Sequence, residues 1–188
     1  MSATNRGAIR RESDFYQTPE WVVDRIIQTL GAPYFAGAYV LEPCAGNGVI
    51  VKKIRSCSHS AQITAIEIRP EEEHNLVEAG ADQVIIGNFL EFSGRDPNPD
   101  IIITNPPYSI AQEIIEHCFE IAPDAEVIML LRLAFLESKK RKPFWDKHPV
   151  TQLYVLSERP SFTNKGTDAT AYAWFIWSKH REPKIQVI

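Results

Sequence analysis

The stretch Ile101-Ile102-Ile103-Thr104-Asn105-Pro106-Pro107-Tyr108 decides how this chain is read. Three consecutive β-branched apolar residues predict a fully buried strand. Pro106 and Pro107 end it, because each lacks a backbone N–H and fixes φ. Asn105 precedes a proline and is pushed toward an extended conformation. The product is a rigid corner at a strand's C-terminal end. It offers an amide side chain, backbone carbonyls with no hairpin partner, and an aromatic face. Such a corner suits a planar –NH2 group, whose two hydrogens the Asn105 and Pro106 carbonyls can accept while Tyr108 stacks on the ring beside it. The same pattern also fits a plain stiff turn in which Tyr108 only packs.

Working outward, strand-like and helix-like segments alternate. Thr18 suits a helix N-cap and Pro19 a first turn, so a helix is predicted over Pro19–Leu30, stopped by Gly31. Strands are predicted over Ala38–Glu42, Gln62–Glu67, Gln83–Ile86, Ile101–Thr104 and Glu126–Leu131. Helices are predicted over Val49–Cys57, Pro70–Ala79 and Ser109 to about Ile121, and a basic helix or loop over Glu137–His148. Alternation of this kind predicts an α/β fold, a mostly parallel sheet with helices on both faces. The last two segments, Thr151–Leu156 and Ala171–Trp177, have no room for a crossover helix between them. They are expected to pair antiparallel across the long loop Ser157–Thr170. Ligands in such sheets sit at the C-terminal ends of the strands, near the switch in strand order.

The 188 residues suffice for one domain with a full core. Residues 1–13 read as a flexible basic arm and 14–188 as a single catalytic domain. Hydrophobic content of 44% and charged content of 23% are ordinary globular values. No apolar run approaches the roughly 20 residues of a membrane span, and the N-terminus has no secretory character. Cys44, Cys57 and Cys118 are odd in number and widely spaced, which fits reduced thiols and a cytoplasmic location. The histidines are scattered, and no metal is expected. The net charge of −4 conceals an asymmetry: 9 Lys/Arg against 19 Asp/Glu up to residue 131, then 11 against 5. A basic end on an acidic body is the footprint of a polyanionic partner, sharpened by Lys139-Lys140-Arg141-Lys142, although a solvated surface also accounts for it.

The first strand delivers Glu42-Pro43-Cys44-Ala45-Gly46-Asn47-Gly48, where Gly46 and Gly48 permit a tight turn and a close approach to a ligand. A glycine turn between strand and helix explains the pattern equally well. No Gly-Lys-Ser/Thr follows, and the third glycine of the dinucleotide fingerprint is absent. Glu67, about 20 residues on, stands where a carboxylate reaches a ribose hydroxyl pair. At the end of the third strand, Asn88 can read an adenine edge and Phe89 can cover the ring. A surface carboxylate at Glu67 and a core phenylalanine at Phe89 are the plainer alternatives. Together these residues describe a nucleoside pocket without phosphate binding.

In these motifs the chain resembles the class I S-adenosylmethionine-dependent amino-methyltransferases that methylate adenine N6 in DNA, including small phage-encoded members. The resemblance runs from Asp14 to about Lys179 and implies a three-layer Rossmann-like sheet. It implies that Tyr16-Gln17-Thr18-Pro19 helps hold the methionine part of S-adenosylmethionine, that the turn after Glu42 lies under that cofactor, that Glu67 binds its ribose, and that Asn88 and Phe89 match the Asp-Phe pair that reads its adenine. Asn88 departs from that Asp: it keeps an acceptor and loses the charge. Asn105-Pro106-Pro107-Tyr108 matches the catalytic element, and Phe162 the second aromatic of the last hairpin, although it also fits as a core residue.

The expected reaction is attack of the target nitrogen on the sulfonium methyl, leaving S-adenosylhomocysteine. An adenine in double-stranded DNA must flip out to reach the corner. About 57 residues separate Gly48 from Asn105 and the predicted elements fill them. No target-recognition domain is expected there or after the last strand, so low or short sequence specificity is expected. Lys139, Lys140, Arg141, Lys142, Arg159, Lys165 and the arginine arm are the expected phosphate contacts. RNA bases or a protein glutamine amide are alternative planar amines. A silent nucleic-acid-binding module and a nicotinamide oxidoreductase are the rivals from other classes.

Overall fold

The computed structural model describes residues 17–94, 97–162 and 168–188. Its centre is an eight-stranded sheet: β1 (Tyr39–Glu42), β2 (Gln62–Glu67), β3 (Gln83–Ile86), β4 (Ile101–Thr104), β5 (Glu126–Arg132), β6 (Gln152–Val155), β7 (Tyr172–Trp177) and β8 (Lys184–Val187). The order is β3-β2-β1-β4-β5-β7-β6-β8. β7 runs antiparallel to both neighbours, and every other pairing is parallel. The switch in strand order falls between β1 and β4, so a crevice opens beyond their carboxyl ends.

The three layers follow from side-chain parity. Val40, Ile63, Ile101, Ile103, Ile128 and Trp174 face one side and pack on α1 (Glu20–Leu30) and α2 (Val49–Cys57), with α3 (Glu73–Glu78) at the edge. Leu41, Ile66, Ile102, Val127, Met129 and Phe175 face the other and pack on α4 (Ala111–Ile121) and α5 (Lys142–Lys147). The Ile101–Ile103 run is buried throughout because β4 is covered on both faces, as a central parallel strand must be.

Three differences from the sequence reading have physical causes. The segment from Pro70 opens as a 3-10 turn, and its α-helical part ends by Glu78 because Gly80 takes φ of 96°. Tyr108–Ile110 form a 3-10 turn ahead of α4, so the helix starts two residues after Ser109. β8 was not expected at all. Its four side chains are exposed, and backbone bonds such as Lys184 N to Thr151 O (3.1 Å) and Ile188 N to Val155 O (2.8 Å) hold it to β6.

Candidate functional site

A cleft of about 860 Å³, counted to its open mouth, lies over the carboxyl ends of β1, β2, β3 and β4. Glu42, Pro43, Gly46, Glu67, Asn88 and Phe89 reach it from the first three strands. Thr18 reaches it from the segment before α1, and Asn105, Pro106 and Pro107 close its far wall. The structure therefore gathers residues spread over 90 positions into one lining. Tyr16 and Lys165 lie outside the described residues, as does the arm 1–13.

At the floor, the glycine turn and the β2 carboxylate are tied together. Gly46 N–H donates to Glu67 Oε2 at 2.7 Å. Glu67 Oε1 accepts from the Arg69 backbone N–H (3.0 Å) and from Arg69 Nε (2.9 Å). Glu67 is only 6% exposed and holds the turn in shape as well as lining the cleft. Gly46 and Gly48 both take positive φ, 56° and 81°. Gly48, however, turns away from the cleft: a Cβ there would meet Ala79 Cβ at 2.8 Å. Its requirement is close packing against α3, not the approach of a ligand.

Glu42 is the most unusual group of the floor. It is 2% exposed, and Oε2 has no hydrogen-bond partner among the described residues. Burial, reinforced by the neighbouring Glu67 charge, pushes its carboxyl well above the usual carboxylate range. A buried acceptor at a cleft wall is a group that a bound cation or N–H donor would satisfy. Cys44 beside it is partly buried, and desolvation raises its thiol above the usual value.

Asn88 takes a capping position. Its Oδ1 accepts from Leu90 N–H (3.1 Å) and its Nδ2 donates to Glu91 (3.2 Å), which fixes the turn that presents Phe89. Phe89 is buried edge-on against His117, with centroids 4.9 Å apart. The rim adds residues that sequence reasoning missed. Ile68 (59% exposed), Leu90 and Ile110 are large, solvent-exposed hydrophobics bordering the cleft, and they make its mouth apolar. Only their position after strand ends could have flagged them.

The corner is braced from both sides. Asn105 Nδ2 donates to Thr18 Oγ1 at 3.0 Å, and the Tyr108 hydroxyl donates to Asn105 Oδ1 at 2.8 Å. The amide plane is thereby fixed, with Oδ1 identified as the acceptor end. Tyr108 itself lies outside the cleft lining, in a cluster with Tyr172 (5.6 Å) and Phe162 (6.4 Å, 73° between planes). Phe162 is 9% exposed and packs in the core edge-on to Tyr108, so the two rings do not form parallel walls. Tyr172 completes a triangle of rings, 5.1 Å from that of Phe162. Pro19 and Phe162 border a second, shallower depression that shares Thr18 with the cleft.

The basic run divides in two. The Arg141 guanidinium donates to the carbonyls of Ala134, Phe135 and Glu137 (3.5, 3.4 and 2.7 Å) and lies 4.6 Å from the Phe135 ring centre. It braces the loop between β5 and α5. Lys142 pairs with Asp146 one helical turn on. Lys139, Lys140 and Arg159 are exposed, and Ser138 beside Lys139 carries a strained φ of 123°.

No protein-family model matches the chain, and no curated protein matches it in sequence. Solved structures do share its fold. A candidate RNA methyltransferase from Pyrococcus horikoshii, PH1948, superposes with a TM-score of 0.71 at 20% identity, over 95% of this chain and 93% of that one. A candidate class I S-adenosylmethionine-dependent methyltransferase from Listeria monocytogenes gives 0.64 at 12% identity, over 97% and 68%. The M protein of the type I restriction enzyme EcoKI (EC 2.1.1.72) gives 0.64 at 17% identity, over 92% and 46%. The likeness establishes the mostly parallel sheet expected from the alternation of segments and the three-layer, Rossmann-like architecture that the resemblance implied.

Proposed function

We propose that this chain transfers a methyl group from S-adenosylmethionine to the exocyclic N6 of an adenine flipped out of DNA. One observation carries the reading. The cleft over the ends of β1, β2 and β3 and the Asn-Pro-Pro corner share a wall, so a donor in the cleft and an amine on the corner would lie side by side. The residues also suit the cofactor. Glu42 offers a buried carboxyl whose Oε2 has no partner among the described residues, Glu67 a carboxylate at the end of β2, and Ile68, Leu90 and Ile110 apolar cover for a ring. No phosphate loop is present to demand a nucleotide.

The cofactor supplies an electrophilic methyl on a sulfonium. The chain's part is to present the amine. Thr18 fixes the Asn105 amide with Oδ1 as its acceptor end, and Oδ1 and the Pro106 carbonyl accept the two amine hydrogens. Those bonds favour a nitrogen with a localised lone pair and support the positive charge that develops as the N–C bond forms and the C–S bond breaks. The nitrogen then releases one proton to solvent. The Tyr108 hydroxyl holds one lone pair of Oδ1, and the amine uses the other or displaces it. Lys139, Lys140 and Arg159 supply the phosphate contacts. The fold likeness to PH1948 favours a second acceptor, RNA.

The test uses methyl-labelled S-adenosylmethionine with unmethylated DNA, RNA and protein, followed by digestion and mass identification of the product. N6-methyladenine in DNA is expected. Label found only in RNA or protein refutes the DNA reading. Asn105→Ala should abolish transfer and leave cofactor binding within a few-fold, and loss of both would show that Asn105 has another role.

A further inference from the structure

We infer that Arg132, the last residue of β5, binds a backbone phosphate of the nucleotide presented to the Asn105 corner. The inference rests on the nucleic-acid reading above and adds a residue to it. β5 lies beside β4, with Met129 in register with Thr104, so its carboxyl end projects next to the corner. The Arg132 guanidinium lies over the Tyr108 ring, 5.1 Å from its centre. Tyr108 in turn bonds Asn105 (2.8 Å), which places a permanent cation one side chain from the amine-binding oxygen.

The cation is aimed but not neutralised. Nε donates to the Tyr172 hydroxyl at 3.2 Å, a neutral partner that orients the fork. The Asp168 carboxylate approaches NH2 only to 3.9 Å, at the limit of an ion pair, and it accepts a much closer bond from the Tyr172 O–H at 2.6 Å. The Arg132 side chain is 45% exposed. A contact so long and so wet quenches little of a charge. The planar fork of an arginine on a half-open rim matches phosphate oxygens in bidentate fashion. Lys139 and Lys140, both exposed, stand on the segment between β5 and α5 that follows Arg132. A base seated at Asn105 must carry its sugar and phosphate outward past that rim.

The experiment measures binding of the full-length chain to a duplex oligonucleotide with a single A·T pair, at stepped salt. Arg132→Gln is expected to weaken binding about tenfold or more at low salt and to reduce the log–log salt slope by about one. Replacing the phosphates flanking the adenine, one at a time, by uncharged methylphosphonates should weaken wild-type binding at one position and leave Arg132→Gln unaffected there. Arg132→Lys, which keeps the charge and loses the fork, should recover the slope. Cofactor affinity, read on the same variants, reports that they are folded. The inference is overturned if Arg132→Gln keeps the wild-type salt slope, or if wild type and variant lose equally at every methylphosphonate. A drop in methyl transfer with no change in slope would show instead that Arg132 only positions Tyr108. Failure of the adenine reading appears elsewhere, as methyladenine missing from the digest.

Discussion

Glu42→Gln separates a buried neutral acid from an ordinary one. In the folded chain the Glu42 carboxyl titrates well above its usual value of 4.5, first because it is buried and then because Glu67 is near. In the unfolded chain it titrates near 4.5. The folded state therefore binds more protons, and the stability tied to Glu42 falls as pH rises. The contribution is fully present below pH 4.5, is lost progressively above it, and stops changing once pH passes the folded value. Within that window the loss is about 1.4 kcal/mol per pH unit. Glutamine cannot titrate, so its variant lacks the slope. Leaving its amide at a site with no partner for Oε2 adds a cost, but that cost is constant with pH. Urea unfolding of both proteins at pH 5.5, 6.5 and 7.5 measures the difference directly, because groups remote from Glu42 titrate alike and cancel. The advantage of Glu42→Gln over wild type should grow by about 1.4 kcal/mol for each unit of pH inside the window. A difference that stays flat from pH 5.5 to 7.5 would mean that Glu42 is charged in the folded protein, and the account of its burial would be wrong.

Gly48→Ala forces an L residue into φ of 81° and drives its Cβ to 2.8 Å from Ala79 Cβ, so a loss of about 2–4 kcal/mol is expected, checked by chemical denaturation. Thr18→Val removes the acceptor that fixes the Asn105 amide; methyl transfer should fall about tenfold while the unfolding midpoint stays near wild type. Arg141→Ala should lower thermal stability, because it frees three loop carbonyls and uncovers Phe135, yet leave the salt slope of DNA binding unchanged. Lys139→Gln with Lys140→Gln should do the reverse, lowering the salt slope by about two without moving the melting temperature.

The parts of the fold that sequence reveals are those whose causes are local. Val49–Cys57, Gln62–Glu67, Gln83–Ile86 and Ile101–Thr104 begin and end where expected, because apolar periodicity and flanking breakers act within a few residues. β8 escapes because nothing local forms it. Pro183-Lys184-Ile185-Gln186-Val187 is short, with its side chains in solvent, and exists as a strand through its parallel pairing with Gln152–Val155, far earlier in the chain. The antiparallel β7 was legible for the opposite reason: the loop before it is too short for a crossover.

The site was legible to a different depth at each residue. Asn105, Glu67 and Phe89 sit at strand ends, and strand ends converge in a parallel sheet whatever the details of packing. The duties of Gly48 and Arg141 depend on what stands opposite them, Ala79 in one case and three carbonyls in the other, and composition carries no trace of that. A run of four cations thus reads as one patch in sequence and becomes two devices in space. Arg141 is turned inward to stiffen the loop, and Lys142 is paired along α5. On the proposed nucleic-acid reading the bracing has a consequence. A track of phosphates has a fixed spacing, so cations on a loop held at its carbonyls would lose less entropy on meeting it than cations on a loose loop.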